Sequence, residues 1–120
     1  MVPSLIAPDD LAVAVARLRE RAEAADRPMP TVTVGGHLIV GDDASAREAR
    51  ESFVRTLVEW RGMPRDTAER VPMIAREPAE FAEVAAAYAA AGADRVVTGP
   101  DNGDWRDGLR LMAEGAALLA

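Results

Sequence analysis

The motif Gly35-Gly36-His37 combines a glycine pair with the only histidine of the chain, and its residue types could carry chemistry. It ends the β-branched run 31–36, which follows a proline break and predicts a strand. Ligands bind beyond the carboxyl ends of parallel strands, and glycine lets a flat ring or a phosphate approach the backbone. The imidazole of His37 can then hydrogen-bond a substrate or a cofactor. The alternative interpretation is a tight turn with an exposed histidine.

A hydroxyl side chain, Thr98, ends the second predicted strand and is followed by Gly99. This hydroxyl can donate a hydrogen bond to a ligand. The alternative is a loop that leads into the last helix, with an N-cap among Asp101, Asn102 and Asp104. Neither a P-loop nor a GxGxxG motif occurs in the sequence, so the phosphate-binding turns of those kinds are excluded.

The two tryptophans, Trp60 and Trp105, can stack on a flat ring of a ligand, but their positions on predicted helices favour packing against a neighbouring helix. The acidic residues Asp42, Asp43 and Glu77 lie at turns and helix starts, where capping and the helix dipole explain them. No acid–base pair stands out, so no catalytic residue is assigned.

The composition excludes several classes of site and partner. The 120 residues include no cysteine and one histidine, which excludes disulfides, thiolate sites and a multi-histidine metal site. The net charge of −6, with arginines interleaved among acids, argues against nucleic acid and against an anionic membrane surface. No membrane span or signal peptide is recognisable, and a cytoplasmic location is expected.

Hydrophobic periodicity, proline breaks and turn residues divide the chain into seven elements. In order, they are a helix over 8–25, a strand over 31–36 continued by the apolar residues 38–40, a helix over 43–61, a weaker helix over 66–75, a helix over 77–92, a strand over 94–98 and a helix over 104–119. This order predicts a single α/β domain over 1–120, with no internal repeat or linker.

The predicted strands are too few for a complete sheet. A helical crossover between them makes them parallel, and parallel strands normally lie in a sheet with both faces covered. Two such strands alone leave two unpaired edges, which natural proteins avoid. We therefore expect the strands to find partners in a longer polypeptide, in another copy of the chain or in another protein.

Several stretches resemble the luciferase-like oxidoreductases that depend on a flavin or a deazaflavin. The stretch 89–97 (AAAGADRVV) is similar to the segment that leads into the last strand of the family, and 77–82 (EPAEFA) is similar to the start of the helix before it. The stretches 103–106 (GDWR) and 111–114 (LMAE), with Leu109 between them, are similar to the closing helix. The stretch 8–11 (PDDL), with Leu18, is similar to the helix between the sixth and seventh strands. Ala75-Arg76-Glu77 departs from the Gly-Ser or Gly-Thr that the family usually has before its Pro-Glu-Glu helix.

The resemblance implies the last two β/α units of a (β/α)₈ TIM barrel, with parallel strands and covering helices, incomplete as a single chain. The run 31–36 would be the seventh strand and 94–98 the eighth, and the first six are absent. The implied cofactor is FMN or coenzyme F-420 (F420), at the carboxyl ends of the strands. The candidate cofactor-binding residues are those that end the two predicted strands, Gly35, Gly36, His37, Thr98 and Gly99. Much of the cofactor contact in the family comes from the absent part. The resemblance is therefore also compatible with an isolated chain that binds no cofactor.

Three hypotheses for function follow. The first is a C-terminal segment or truncated homologue of a flavin- or deazaflavin-dependent oxidoreductase of the monooxygenase type, inactive alone, whose partner is a second copy or the missing N-terminal barrel portion. The second is a non-catalytic α/β module that dimerises through its incomplete sheet. The third is an unrelated small α/β binding domain. The sequence leaves the substrate and the choice between FMN and F420 open.

Overall fold

The computed structural model describes residues 1–119, and Ala120, the last residue of the predicted domain, lies outside the described residues. The elements are α1 (Pro8–Ala24), β1 (Thr33–Gly35), β2 (Leu38–Val40), α2 (Ala44–Arg61), α3 (Arg65–Glu69), β3 (Met73–Ala75), α4 (Pro78–Ala90), β4 (Arg95–Val97) and α5 (Trp105–Ala117). Within 1–119, no helix is long and apolar enough to cross a membrane.

Local chemistry fixes the ends of the helices much as predicted. The Asp43 side chain caps α2 by accepting a hydrogen bond from the Ala46 N–H at 2.8 Å. Gly62 ends the same helix with a φ of 66°, in the left-handed region that glycine tolerates. Asp104 caps α5 by accepting from the Arg106 N–H, also at 2.8 Å.

The strands form two short parallel pairs, β1 with β4 and β2 with β3. Together β1 and β2 form one central strand, because the backbone hydrogen bonds that pair β1 with β4 continue past β1 and join β2 to the residues that follow β4. The N–H of Gly36 donates to the Val97 carbonyl and that of Leu38 to the Gly99 carbonyl, each at 3.0 Å. The N–H of Asp101 then donates to the Leu38 carbonyl at 2.9 Å. One edge of the central strand is therefore paired along its whole length.

The opposite edge of the central strand is shared by two different segments. The N–H of Thr33 donates to the Met1 carbonyl, and the carbonyl of His37 accepts from the Met73 N–H, each at 3.0 Å. Thr33 and His37 point to the same edge because backbone groups alternate in direction along a strand. The first residues of the chain thus pair beside β1, and β3 pairs beside β2. The sheet is three strands wide throughout.

The outer edge of β4 is open. Its Val97 N–H faces the central strand, so the N–H groups of Val96 and Thr98 face the other way. No strand within residues 1–119 lies beyond this edge. The expectation that both predicted strands lack partners within the chain is wrong for the central strand, which is paired on both sides. Whether another chain pairs with β4 stays a prediction.

One face of the sheet, which we call the covered face, carries the core. Val32, Val34 and Leu38 alternate along the central strand and are almost fully buried. The other members of this cluster come from α1, β3 and α4, and they are Leu11, Val15, Met73, Ala75, Phe81 and Tyr88. The helices α1 and α4 therefore bury this face, as the periodicity of their apolar residues predicts.

The other face, which we call the open face, carries Thr33, Gly35 and His37 on the central strand and Val97 on β4. The Val97 residue is 61% exposed. Helix α2 packs only against the β2 end of this face, where Ile39 is buried. The described chain measures 50 × 38 × 17 Å, and its shortest dimension has room for little more than a sheet and one layer of helices.

Three further sequence predictions are wrong. The stretch 66–75 is not one weak helix: it contains the end of the short α3, a turn, and strand β3. The strands number three rather than two, because β3 pairs beside the central strand that β1 and β2 form. Trp60 and Trp105 do not pack against a neighbouring helix within residues 1–119, since they are 82% and 59% exposed. Trp105 instead stacks with the guanidinium of Arg106, 4.9 Å from the ring centroid.

Candidate functional site

The sheet brings His37 and Asp101 together on the open face. His37 lies on the central strand between β1 and β2, and Asp101 lies in the segment that continues the ladder past β4. Nδ1 of His37 is 2.9 Å from each carboxylate oxygen of Asp101. Their side chains are 46% and 30% exposed, so the pair is accessible to solvent. A carboxylate beside one ring nitrogen of a histidine orients the ring and fixes which nitrogen carries the proton.

Helix α2 adds aromatic surface to this pair. The ring of Phe53 lies against His37, with the ring centroids 4.7 Å apart and the planes tilted by 37°. Trp60 follows seven residues later, two turns along the same helical face. Together with the His37–Asp101 pair, which we call the dyad, these rings line a cleft of about 460 Å³ between α2 and the open face. The other residues that line this cleft are Leu5, Ala49, Ser52, Thr56, Leu57 and Arg61.

A second groove continues from the cleft along the open face. It has a volume of about 410 Å³, and it shares Leu5 and His37 with the cleft. Its other lining residues are Ser4, Gly35, Gly36, Val97 and Thr98. Four of the five predicted site residues therefore lie along one groove, and Gly99 follows directly in the chain.

The two glycines of the motif face opposite sides of the sheet. A Cβ on Gly36 would lie 2.6 Å from Cε of Met73, so its missing side chain makes room in the covered core. A Cβ on Gly35 would have only the Cβ of Ser4 nearby, at 3.7 Å. The bare backbone at Gly35 therefore borders the open groove, where a flat group can approach it.

The Thr98 hydroxyl donates to the Gly36 carbonyl at 3.0 Å, across the ladder. Its proton is committed to the backbone, and only its oxygen lone pairs can serve a ligand. Gly99 has open space where a Cβ would be built. Thr98 and Gly99 also continue the ladder past β4, so they lie beside the central strand rather than beyond its end.

The sequence interpretation missed Asp101, which it considered only as a possible helix cap. Asn102 was considered in the same way, yet its side chain brackets β2: it accepts from the Val40 N–H and donates to the Val40 carbonyl, each at 2.9 Å. Asp104 alone of the three candidates caps α5. Asp101 is thereby free to pair with His37 across 64 positions of sequence.

Resolved changes in pKa occur away from this groove. Hydrogen bonds from Arg76 lower the pKa of Glu80, whose side chain is 27% exposed. Burial raises the pKa of Tyr88, whose hydroxyl donates to the Ile6 carbonyl at 2.7 Å. Among residues 1–119, no cluster of histidine and acidic side chains could hold a metal ion.

Comparison with known proteins gives one informative result. No family model and no curated protein matches the chain. Among solved structures, an F420-dependent secondary alcohol dehydrogenase in complex with an F420–acetone adduct matches with a TM-score of 0.73. The match covers 95% of this chain at 16% identity, but only 42% of the dehydrogenase. The two therefore share a fold, and this chain spans less than half the length of that enzyme.

Proposed function

We propose that this chain is a C-terminal segment or truncated homologue of a luciferase-like oxidoreductase that depends on F420 or a flavin. The observation that carries the proposal is the shared fold over nearly the whole chain with an F420-dependent enzyme. The likeness to that F420-dependent enzyme makes F420, rather than FMN, the cofactor that we propose for this chain. In this proposal the sheet forms part of a (β/α)₈ barrel, and the open face is the face that the barrel encloses.

The groove on the open face fits a flat heterocycle. The bare backbone at Gly35 and the exposed side chain of Val97 provide a level surface, and His37 lies at one end of it. A bound deazaflavin or flavin supplies the hydride chemistry of such enzymes. The residues of this chain would hold the ring against the sheet. Thr98, Gly99 and the backbone of Gly36 would form the surface of the sheet on which the ring lies.

In this proposal, further strands pair with the open edge of β4 and enclose the open face. A barrel has no free edge, because its strands close on one another. The remaining strands would come from a separate polypeptide, from a longer form of this chain or from a second copy. Such a partner would complete the cofactor site, since much of the contact in the family comes from the strands that this chain lacks.

The test is a titration of the chain with F420 and, separately, with FMN, monitored by cofactor fluorescence and by light scattering. Binding of F420 with a defined oligomer would support the proposal. Gly35→Val should weaken that binding at least about tenfold, because its side chain fills the groove, whereas Thr33→Val on the same face is the control. A folded chain that binds neither cofactor, as a monomer or as an oligomer, would overturn a cofactor site formed by this chain alone.

A second candidate is the non-catalytic module that dimerises through its sheet. The observation in its favour is the outward-facing N–H of Val96 on the open edge of β4. Beside it lies an apolar groove of about 520 Å³ between α4 and α5, lined by residues that include Leu109, Met112 and Leu119. Exposed apolar surface next to an unpaired strand is typical of a pairing site.

Proline at position 96 tests this candidate. Val96→Pro removes an outward N–H without removing a ladder hydrogen bond to β1, so it should dissociate a dimer that pairs through this edge. Val96→Ala, which keeps the N–H, is the matched control. Light scattering and circular dichroism would then distinguish dissociation from unfolding. A dimer that survives in folded Val96→Pro would exclude edge pairing.

A further inference from the structure

The His37–Asp101 pair has a defined hydrogen-bond polarity. An ionised carboxylate only accepts hydrogen bonds, so the ring nitrogen that faces it, Nδ1, must carry a proton. In the neutral ring, Nε2 is then an acceptor with a free lone pair. Among residues 1–119, no hydrogen bond to Nε2 is formed. The dyad therefore offers an acceptor to a group that can donate.

The walls beside this acceptor are mainly aromatic and apolar, and Ser52, Thr56 and Arg61 add polar groups to the cleft. Phe53 stacks on the imidazole, and Leu5 and Leu57 line the same cleft. Trp60 is 82% exposed at its rim, although large aromatic side chains are normally mostly buried. The rings of Phe53 and Trp60, two helical turns apart, provide surfaces against which a third aromatic ring can pack, either edge-to-face or offset-stacked.

We propose that the cleft between α2 and the open face binds a small aromatic molecule that carries a hydroxyl group, an aryl alcohol or a phenol. The hydroxyl donates to Nε2 of His37, and the ring packs against Phe53 and Trp60. The cleft volume of about 460 Å³ is within the usual range for small-molecule sites. An aryl carboxylate fits less well, because in its ionised form it has no hydroxyl proton to donate to Nε2 of His37. The proposal requires no coenzyme, so it stands or fails separately from the proposed oxidoreductase function.

The chain's single histidine allows a direct readout. Nitrogen NMR of the imidazole reports which ring nitrogen is protonated and whether Nε2 accepts a hydrogen bond, with no overlap from other histidines. A Trp105→Phe background leaves Trp60 as the only tryptophan, so its fluorescence reports ring binding. The probes are benzyl alcohol, benzyl methyl ether, which lacks the donor, and cyclohexylmethanol, which lacks the aromatic ring.

Benzyl alcohol should bind about fivefold more tightly than the ether or cyclohexylmethanol, and should shift the Nε2 resonance. Asp101→Ala should remove the advantage over the ether, because the ring is no longer held with its proton on Nδ1. Asp107→Ala, on the exposed surface of α5, is the control. Trp60→Ala, followed by NMR, should weaken both aromatic probes and leave cyclohexylmethanol unchanged. Equal binding of all three probes, no binding of benzyl alcohol, or a proton on Nε2 in the free protein would overturn the proposal.

Discussion

The two faces of the sheet differ sharply although the same strands form them. On the covered face, Val34 is fully buried under helices. On the open face, its neighbours Gly35 and His37 border a groove, and Val97 is mostly exposed. Parallel sheets are normally covered on both faces. The difference indicates that the covered face holds the chain together, while the open face is available for a ligand or for further protein.

The largest expected effect comes from a matched pair of valines, one on each face. Val34→Ala removes fully buried methyl groups and should lower the free energy of unfolding by about 2–3 kcal/mol. Val97→Ala, on the next strand, should change it by less than about 0.5 kcal/mol, because its side chain faces solvent. Urea unfolding at low protein concentration measures both values.

The outcome for Val97→Ala also tests whether the open face is covered in solution. A cost close to that of Val34→Ala, increasing with protein concentration, would mean that another copy buries Val97. The contrast between the faces would then belong to the isolated chain only. Equal costs that do not depend on concentration would contradict the assignment of the faces.

A smaller effect is expected at Tyr88, the polar member of the covered core. Its hydroxyl donates to the Ile6 carbonyl just before α1, so Tyr88→Phe should cost about 1 kcal/mol at neutral pH. Burial raises the pKa of Tyr88 in the folded state, so the folded chain holds the phenolic proton more tightly than the unfolded chain does. The stability contribution is therefore fully present below the unfolded pKa and is lost as the pH rises above about 10.

Urea unfolding at several pH values between neutrality and the alkaline range checks this prediction. The wild-type chain should lose stability above about pH 10 more steeply than Tyr88→Phe. Parallel alkaline profiles for the two chains would show that ionisation of Tyr88 is not coupled to folding.

The covered face could be predicted from sequence to a large extent. The apolar periodicity of α1 and α4 predicts helices that bury one face, and their residues Leu11, Val15, Phe81 and Tyr88 are buried. Such patterns are local, and burial of one helix face requires only that the face meet a sheet. The strand β3 was missed because three apolar residues after a proline have no period of their own. Their pairing with β2 decides their conformation.

The open face was harder to predict because its contacts are not local. His37 and Thr98 were recognised from their positions after predicted strands, and the structure places both along one groove. Whether they bind a cofactor stays a prediction. Asp101 was missed, since at 64 positions from His37 nothing in the spacing indicates their contact. Only the ladder that runs past β4 brings the two side chains to the same face.

The smallest expected effect lies outside both faces, at the start of α4. Glu80 accepts hydrogen bonds from the backbone N–H and the guanidinium of Arg76, which lower its pKa in the folded state. The unfolded chain therefore binds this proton more readily. The stabilising contribution is present above the unfolded pKa and is lost as the pH falls through the folded pKa. Because the pair lies at the surface, with the Arg76 side chain 60% exposed, screening by solvent and salt keeps its effect small.

Glu80→Gln should accordingly flatten the acid side of the stability profile slightly, while Glu83→Gln, an exposed position on the same helix, should not. Urea unfolding between about pH 3 and 7, at low and high salt, measures the difference. The flattening should shrink at high salt if attraction between the charges causes it. If Glu80→Gln instead destabilised the chain as much as Val34→Ala, the helix start would contribute as much as the covered core. The assignment of stability to the covered face would then be wrong.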